Sequence, residues 1–211
     1  MERSYKTDQE EFWAGEFGNK YVDRNSNPNS IAYRVALFTK ILDRTRGVSQ
    51  ILEIGANIGH NFQAIRRLLP ACTFAGIEIN EKAIQTLGHV PNVKVYKGSI
   101  FDFSPADLSQ YDLTLSSGVL IHINPDFLPE VYRRLYECSR RYICLIEYYN
   151  PTPVEVTYRG HAARLFKRDF AGEMLDRYTD LELVDYGFQY HRDYNFPGDD
   201  DTWFLLRKTK P

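Results

Sequence analysis

Ile51-Leu52-Glu53-Ile54-Gly55-Ala56-Asn57-Ile58-Gly59-His60 is the stretch on which the reading of this chain turns. Its short apolar run, preceded by Gly47-Val48-Ser49-Gln50, predicts a buried strand. Gly55 and Gly59 then form a turn in which backbone can pass close to a ligand, and Asn57 between them tolerates positive φ better than most residues. A helix beginning near Gly59 points the free N–H groups of its first turn at whatever the turn holds.

Two cofactor classes use such a turn. A dinucleotide fingerprint has the form G-x-G-x-x-G and holds a pyrophosphate on backbone amides. Here the glycines stand four residues apart, Asn57 takes the place of a second glycine, and Glu53 sits at the mouth of the turn. A carboxylate there opposes a phosphate and attracts an ammonium, which favours S-adenosylmethionine over NAD. The chain also lacks the Tyr-x-x-x-Lys pair of a sugar oxidoreductase.

Glu53-x-Gly55-x-Asn57-x-Gly59 resembles the first motif of class I S-adenosylmethionine-dependent methyltransferases, (D/E)-x-G-x-G-x-G, and departs from it at Asn57. The resemblance implies an α/β fold: a Rossmann-like seven-stranded sheet of order 3-2-1-4-5-7-6, its last strand antiparallel, with helices on both faces. It also implies S-adenosylmethionine as cofactor and S-adenosylhomocysteine as product.

The rest of the chain supplies matching parts in order. A helix over 60–69 ends at Pro70, and 72–79 reads as a second strand finishing on Glu78, with Ile79 beside it and Asn80 capping the next helix. A nucleoside-binding α/β fold places its ribose-binding carboxylate at such a position. Residues 93–97 alternate as a third strand, and the loop after it, Gly98-Ser99-Ile100-Phe101-Asp102, flanks the adenine in the family. Ser99 stands where an Asp is usual, which leaves Asp102 as the alternative contact.

A fourth strand over 111–116 leads into Ser116-Ser117-Gly118-Val119-Leu120-Ile121-His122, similar to the family segment that borders the transferable methyl. A helix over 126–139 and a fifth strand over 141–149 follow. Residues 150–165 are too long for a plain connection and read as a functional loop. A helix over 170–178 precedes strands at 181–190 and 202–208, which a short reversal makes an antiparallel hairpin.

Ahead of the sheet, Phe12, Trp13, Phe17 and Tyr21 recur at roughly helical spacing, broken by Gly15 and Gly18. A polar loop over 23–30 ends on Ser30, a good N-cap for a helix over 31–43. The expected organisation is a helical cap over 1–45 and a cofactor-binding domain over 46–211.

A narrower resemblance is carried by Glu11-Phe12-Trp13-Ala14-Gly15-Glu16-Phe17-Gly18, Leu52 to Gly59, Asn150-Pro151-Thr152-Pro153-Val154-Glu155 and Leu165 to Met174. These segments are similar to the pseudaminic acid biosynthesis-associated methylases. That group implies a nonulosonic-acid or surface-sugar setting, and a small-molecule acceptor.

Net charge bounds the partners. At −2 over 211 residues there is no footprint for a polyanionic backbone, so nucleic acid is not expected. No apolar run approaches a membrane span, and three cysteines, an odd number, fit a reduced cytoplasmic setting better than a disulfide framework. The five histidines and three cysteines never take metal-ligand spacing, so no metal is expected. The oligomeric state is left open.

Methyl transfer from a sulfonium is an in-line displacement, so most catalysis can come from alignment, and a base matters when a hydroxyl must lose its proton. His122, just beyond strand four, is the candidate base. Glu53, Gly55, Asn57, Gly59, Glu78, Ile79, Ser99, Ile100, Ser116 and Gly118 are the candidate cofactor residues. Trp13 and Tyr21 from the cap, Glu147 and Tyr148 at the end of strand five, and Tyr158, Arg159, His161 and Arg164 from the loop are candidates for the substrate. The loop's basic groups would suit a carboxylate or phosphate. A non-catalytic partner protein that keeps the fold is the alternative to an enzyme.

Overall fold

The computed structural model describes residues 4–25 and 30–210. Helices α1 (Asp8–Ala14), α2 (Glu16–Arg24) and α3 (Ser30–Leu42) open the chain. Then come β1 (Gln50–Ile54), α4 (His60–Leu68), β2 (Thr73–Glu78), α5 (Glu81–Leu87), β3 (Val93–Lys97), α6 (Pro105–Leu108) and β4 (Tyr111–Ser117). The second half runs α7 (Leu128–Glu137), β5 (Ser139–Glu147), β6 (Val154–Tyr158), β7 (His161–Lys167), α8 (Phe170–Arg177), β8 (Leu181–Phe188) and β9 (Thr202–Lys208).

Seven strands form one sheet of order β3-β2-β1-β4-β5-β9-β8. Strands β1 to β5 pair in parallel, and β9 runs antiparallel to both β5 and β8. With β6 and β7 left out of the count, this is the expected order 3-2-1-4-5-7-6. The central strands are buried on both faces, as a parallel sheet between helix layers requires.

Side-chain alternation sorts the core into two layers. From β1, Leu52 and Ile54 join Leu128, Val131, Leu135 and Met174 of α7 and α8 on one face. Ile51 joins Phe38 and Ile41 of α3 and Phe62 and Ile65 of α4 on the other. Glu53 shares the parity of Ile51, so its carboxylate emerges on the α3/α4 side. Helix α3, expected within the cap, therefore belongs to the packed core, while α1 and α2 lie at the end of the sheet where the strands finish.

The expected functional loop at 150–165 is instead a two-stranded antiparallel hairpin, β6 with β7, registered by Val154 opposite Lys167 and Val156 opposite Leu165. Leu165 and Phe166 bury against the main core, and the rest of the hairpin stands out from it. Smaller differences lie at element ends. Pro125–Phe127 form a tight 3-10 turn, so the helix expected from 126 begins at Leu128, and β8 stops at Phe188. The polar loop expected over 23–30 falls partly outside the described residues. Ser30 is the first residue of α3, and its hydroxyl meets His60 Nδ1 at 2.9 Å.

Cys72, Cys138 and Cys144 are free and buried. No helix among the described residues is long and apolar enough to cross a membrane.

Candidate active site

A cleft opens where β1, β2 and β4 end, at the point where the sheet order reverses and open α/β sheets bind their ligands. Its walls include Glu53, Gly55, Asn57, Glu78, Ile79, Ser99, Ile100, Gly118 and His122, roofed by Trp13 and Tyr21. Most of the expected cofactor residues thus converge on one space.

The turn after β1 is left-handed at three positions, Gly55 (φ 67°), Asn57 (φ 47°) and Gly59 (φ 78°). At Gly55 the conformation and the space agree: a Cβ would lie 2.5 Å from Val119 Cγ2, so only glycine lets the loop after β4 pass. Gly118, also left-handed at φ 65°, has open space where its Cβ would be.

Three buried carboxylates end β1, β2 and β5, and their partners set them apart. Glu147 is fully claimed: Ser116 Oγ donates to it at 2.7 Å, and the N–H groups of Val119, Leu120 and Ile121 donate at 3.1, 3.1 and 3.3 Å. It does not face the cleft but holds the segment leading to His122. Its partner Ser116 likewise lies beneath that segment, and the neighbouring Ser117 lines the cleft instead. Glu78 receives three backbone N–H groups, Asn57 at 2.7 Å, Ile79 at 2.9 Å and Asn80 at 2.8 Å, which hold its carboxylate at the cleft's edge.

Glu53 differs. Asn61 Nδ2 donates to Oε1 at 2.6 Å, and Oε2 is buried with no partner among the described residues. Burial pushes the acid up to about 8, against the Asn61 hydrogen bond and the pull of Arg34. Burial also raises Glu78, and takes Glu147 up to about 7.

Ser99 and Asp102 close a reciprocal cap. Ser99 Oγ accepts from Phe101 N–H at 3.2 Å, and Asp102 Oδ2 accepts from Ser99 N–H at 2.8 Å. The cap shapes the Ile100–Asp102 turn, whose Ile100 and Phe101 line the cleft.

His122 is buried, and its Nδ1 lies 2.5 Å from the carbonyl oxygen of Arg164. A carbonyl only accepts, so Nδ1 carries the hydrogen and Nε2 keeps its lone pair. Burial drops the imidazolium to about 4, so the ring is neutral near pH 7. Trp13 lies 4.5 Å from it and Tyr158 5.0 Å, ring centre to ring centre.

The hairpin therefore contributes the Arg164 carbonyl and the Tyr158 ring. It does not bring its expected cationic groups into the cleft. Arg159 (φ 49°) is exposed at the tip, His161 packs outside on Phe12 and Phe17, and Arg164 spreads its guanidinium over Phe12. Tyr148 is half-buried beneath Lys167, whose ammonium sits 5.0 Å above its ring. Gln9 Nε2 donates to the Ala163 carbonyl at 2.9 Å and ties α1 to the hairpin.

Arg34, Asn61, Asn80 and Phe101 line the same cleft and were not singled out from the sequence. Arg34 and Asn61 sit within amphipathic helices, where a polar residue carries no signal of its own. In sequence, Asn80 has only the signature of a cap. It does cap α5 through Ala83 N–H, but its amide also donates to the Trp13 carbonyl at 3.1 Å and to Asn19 Oδ1 at 3.0 Å.

The cleft residues suit an adenosyl amino acid. Glu53 Oε2, Asn57 Oδ1 and Trp13 Nε1 are buried without partners, two acceptors and one donor around a single space. Among the described residues no group of three His, Cys, Asp or Glu could hold a metal ion.

Residues 52–141 match a family model described as a methyltransferase domain. The fold is shared with solved methyltransferases. The plantazolicin methyltransferase BpumL in complex with SAH has TM-score 0.67 at 15% identity, over 96% of this chain and 94% of that one. The magnesium protoporphyrin IX methyltransferase of Synechocystis PCC 6803 with bound SAM has TM-score 0.66 at 11% identity, over 98% and 100%. The N-terminal domain of EvdMO1, crystallised in the presence of SAH and D-fucose, has TM-score 0.59 at 16% identity, over 84% and 83%. At these identities the likeness is one of fold. No curated protein matches the chain.

The match over residues 52–141 and the fold shared with methyltransferases solved with SAH or SAM make this chain an enzyme that uses S-adenosylmethionine.

Proposed function

We propose that this enzyme methylates a hydroxyl or amine of a small molecule, most specifically an anionic or nucleotide-linked sugar of a nonulosonic-acid or surface-glycan pathway. Bound S-adenosylmethionine supplies an electrophilic methyl group; the chain supplies alignment, a dry cleft and a proton acceptor.

The observation that carries this reading is the neutral His122, anchored through Nδ1 and roofed by Trp13 and Tyr158. With Nδ1 engaged, Nε2 is the nitrogen that can take a proton. A base whose conjugate acid lies near 4 is weak toward a free alcohol, but adequate within the transition state, where the forming bond to methyl makes the acceptor oxygen strongly acidic. His122 thus takes the proton late, and position outweighs basicity.

Glu53, Asn57, Glu78, Ile79, Ser99, Ile100 and Gly118 are assigned to the cofactor, and Trp13, Tyr21 and Tyr158 to the acceptor. Flat aromatic rings above a hydrogen-bonding base suit the apolar face and hydroxyl edge of a sugar. The resemblance of the 11–18 and 150–155 segments to a sugar-pathway group supports that choice, as does the crystallisation of the EvdMO1 domain in the presence of D-fucose. An acidic handle on the substrate would find Arg164 and Lys167 at the roof's outer edge.

The test is incubation with labelled S-adenosylmethionine and a panel of nucleotide sugars and nonulosonic acids, read by mass spectrometry. Gain of one methyl on any of them, lost in His122→Ala, supports the reading. Methyl transfer to none of the panel, with transfer to an unrelated small molecule, would remove the sugar assignment.

A further inference from the structure

Three consecutive acids, Asp199-Asp200-Asp201, close the reversal between β8 and β9, and they meet different fates. Asp200, left-handed at φ 61°, turns outward: Oδ1 accepts from the His191 N–H at 2.9 Å and lies 2.9 Å from Nδ1 of the same residue. Asp199 is exposed. Asp201 is half-buried, and its carboxyl has no hydrogen-bond partner among the described residues.

Strand register puts Asp201 at the edge of the sheet that holds the cleft. Glu147 and Phe188 both stand opposite Thr202, and one step on the Gln189 N–H donates to the Asp201 carbonyl at 2.9 Å. Asp201 therefore lies beside Tyr148, just past the Glu147 that holds the segment leading to His122. It shares the parity of Trp203 and so faces the α3 side. The charges that face it are Asp199, Glu147 and Asp200, with the cation of Arg34, which is itself held by Asn61 and the Ser30 carbonyl.

Phenols surround this carboxyl. Tyr21, Tyr33 and Tyr148 all feel the charges of Asp199 and Asp201, and all three are half-buried with hydroxyls that make no hydrogen bond among the described residues. Behind the reversal, Gln189 is 7% exposed and its Oε1 is buried without a partner. That oxygen packs against the reversal, since a Cβ on Gly198 would lie 3.2 Å from it. The turn is internally braced: Asp193 accepts from the Asn195 and Phe196 N–H groups at 2.9 and 2.7 Å, and Gly198 N–H donates to the Tyr190 carbonyl at 3.2 Å.

A carboxyl and an amide oxygen, both acceptors, thus stand among phenols that donate as well as accept. The acids would repel an anion, and an ammonium would leave the phenols nothing to donate to. A neutral polyol answers both. This space adjoins the roof that Tyr21 shares with Trp13 above His122. Taking the acceptor to be a sugar, as argued under the function above, we propose that Asp201 binds hydroxyls on its uncharged part, so that the β8–β9 reversal sets acceptor specificity. A carboxylate or phosphate on the same molecule then points away, toward Arg164 and Lys167. Ionisation does not decide the contact. Raised to about 7 by burial and then by Asp199 and Glu147, Asp201 is an acid below that value and a carboxylate above it, and each form keeps an accepting oxygen.

Saturation-transfer NMR titrations of the intact chain, with saturating S-adenosylhomocysteine at about pH 8, where Asp201 is a carboxylate, test this. The probes are D-galactose and D-galacturonate, which differ only in a hydroxymethyl against a carboxylate. The wild type is expected to bind D-galactose at least about threefold more tightly. Asp201→Asn keeps an accepting oxygen but removes the charge, so that ratio should fall to near one, through tighter D-galacturonate. Asp201→Ala should lose about threefold or more in D-galactose affinity. Wild-type affinity for S-adenosylhomocysteine shows which variants are folded, and either variant alone suffices.

Equal binding of the two sugars by the wild type, preference for D-galacturonate, or affinities unchanged in the folded variants overturns the role of Asp201. In each of those cases a sugar still binds and the sugar reading stands. If the wild type binds neither sugar, that reading fails and the role of Asp201 with it.

Discussion

His122 and Arg164 are joined across 42 residues of sequence by one short hydrogen bond, imidazole Nδ1–H to main-chain carbonyl. The bond couples the segment after β4 to the hairpin and sets which ring nitrogen can act. Because the partner is main chain, substitution of the Arg164 side chain leaves it in place.

His122→Ala should bind S-adenosylhomocysteine within about twofold of wild type and lose roughly 10²- to 10⁴-fold in kcat. Isothermal titration and a radiolabelled methyl-transfer assay measure the two separately. Equal losses in both would make the residue part of the scaffold and not a base. Since the imidazolium sits near 4, titration of His122 should leave kcat flat above about pH 5.

Stability of the unliganded protein should fall as pH rises from about 6.5 to about 8. Glu53 and Glu147 are raised to about 8 and about 7, and Asp201, largely by burial, to about 7. In this window the folded state holds protons on these acids that the unfolded chain has already released. The folded state is therefore favoured below the window and loses that advantage through it. His122 and His60, both lowered to about 4 by burial, act with the opposite sign, but only up to their unfolded value of 6.5. Thermal melts across this range should show the decline, and Glu53→Gln should flatten it.

Glu147→Ala strips four donors of their common acceptor inside the protein. A loss of about 3 kcal/mol or more is expected in urea unfolding. In molecules that remain folded kcat should drop further than in a stability-matched core variant, because the 119–121 segment carries His122. Glu147→Gln should recover part of the stability, with its amide nitrogen facing a backbone N–H it cannot accept from.

Gly55→Ala combines a left-handed backbone with a contact to Val119. The strain alone costs about 1 kcal/mol, and the clash adds to it. Affinity for S-adenosylhomocysteine should weaken at least about tenfold, equivalent to about 1.4 kcal/mol, as the turn and the 118–119 segment move apart. Calorimetry at a temperature where the variant is fully folded reads this directly.

The sheet was legible because each parallel strand is a short apolar run closed by a turn, and because the Gly55–Gly59 spacing marks a turn at the cleft. The 154–167 hairpin was not: Val154 to Thr157 are exposed on both sides, so burial imposes no alternation, and Pro151 and Pro153 read as loop. Strand-end acids look alike in sequence whether they face a ligand or a loop, so Glu53 and Glu147 could be separated only by their hydrogen bonds. Arg159 and His161 went astray for a related reason. Clustering along the chain does not give direction, and a hairpin turns alternate side chains to opposite faces. Arg34 left no trace because a helix position gains meaning only from what packs opposite.

The three thiols offer a clock that needs no engineering. Burial holds Cys72 up at about 12 and Cys138 at about 11, and raises Cys144 as well, so almost no thiolate exists at neutral pH while the chain is folded. An alkylating reagent can then mark a molecule only during an excursion that bares its interior, each site timing a different region: Cys72 the entry to β2, Cys144 the centre of β5, Cys138 the end of α7. Slower marking in the presence of S-adenosylhomocysteine would measure how firmly the occupied cleft holds each region shut.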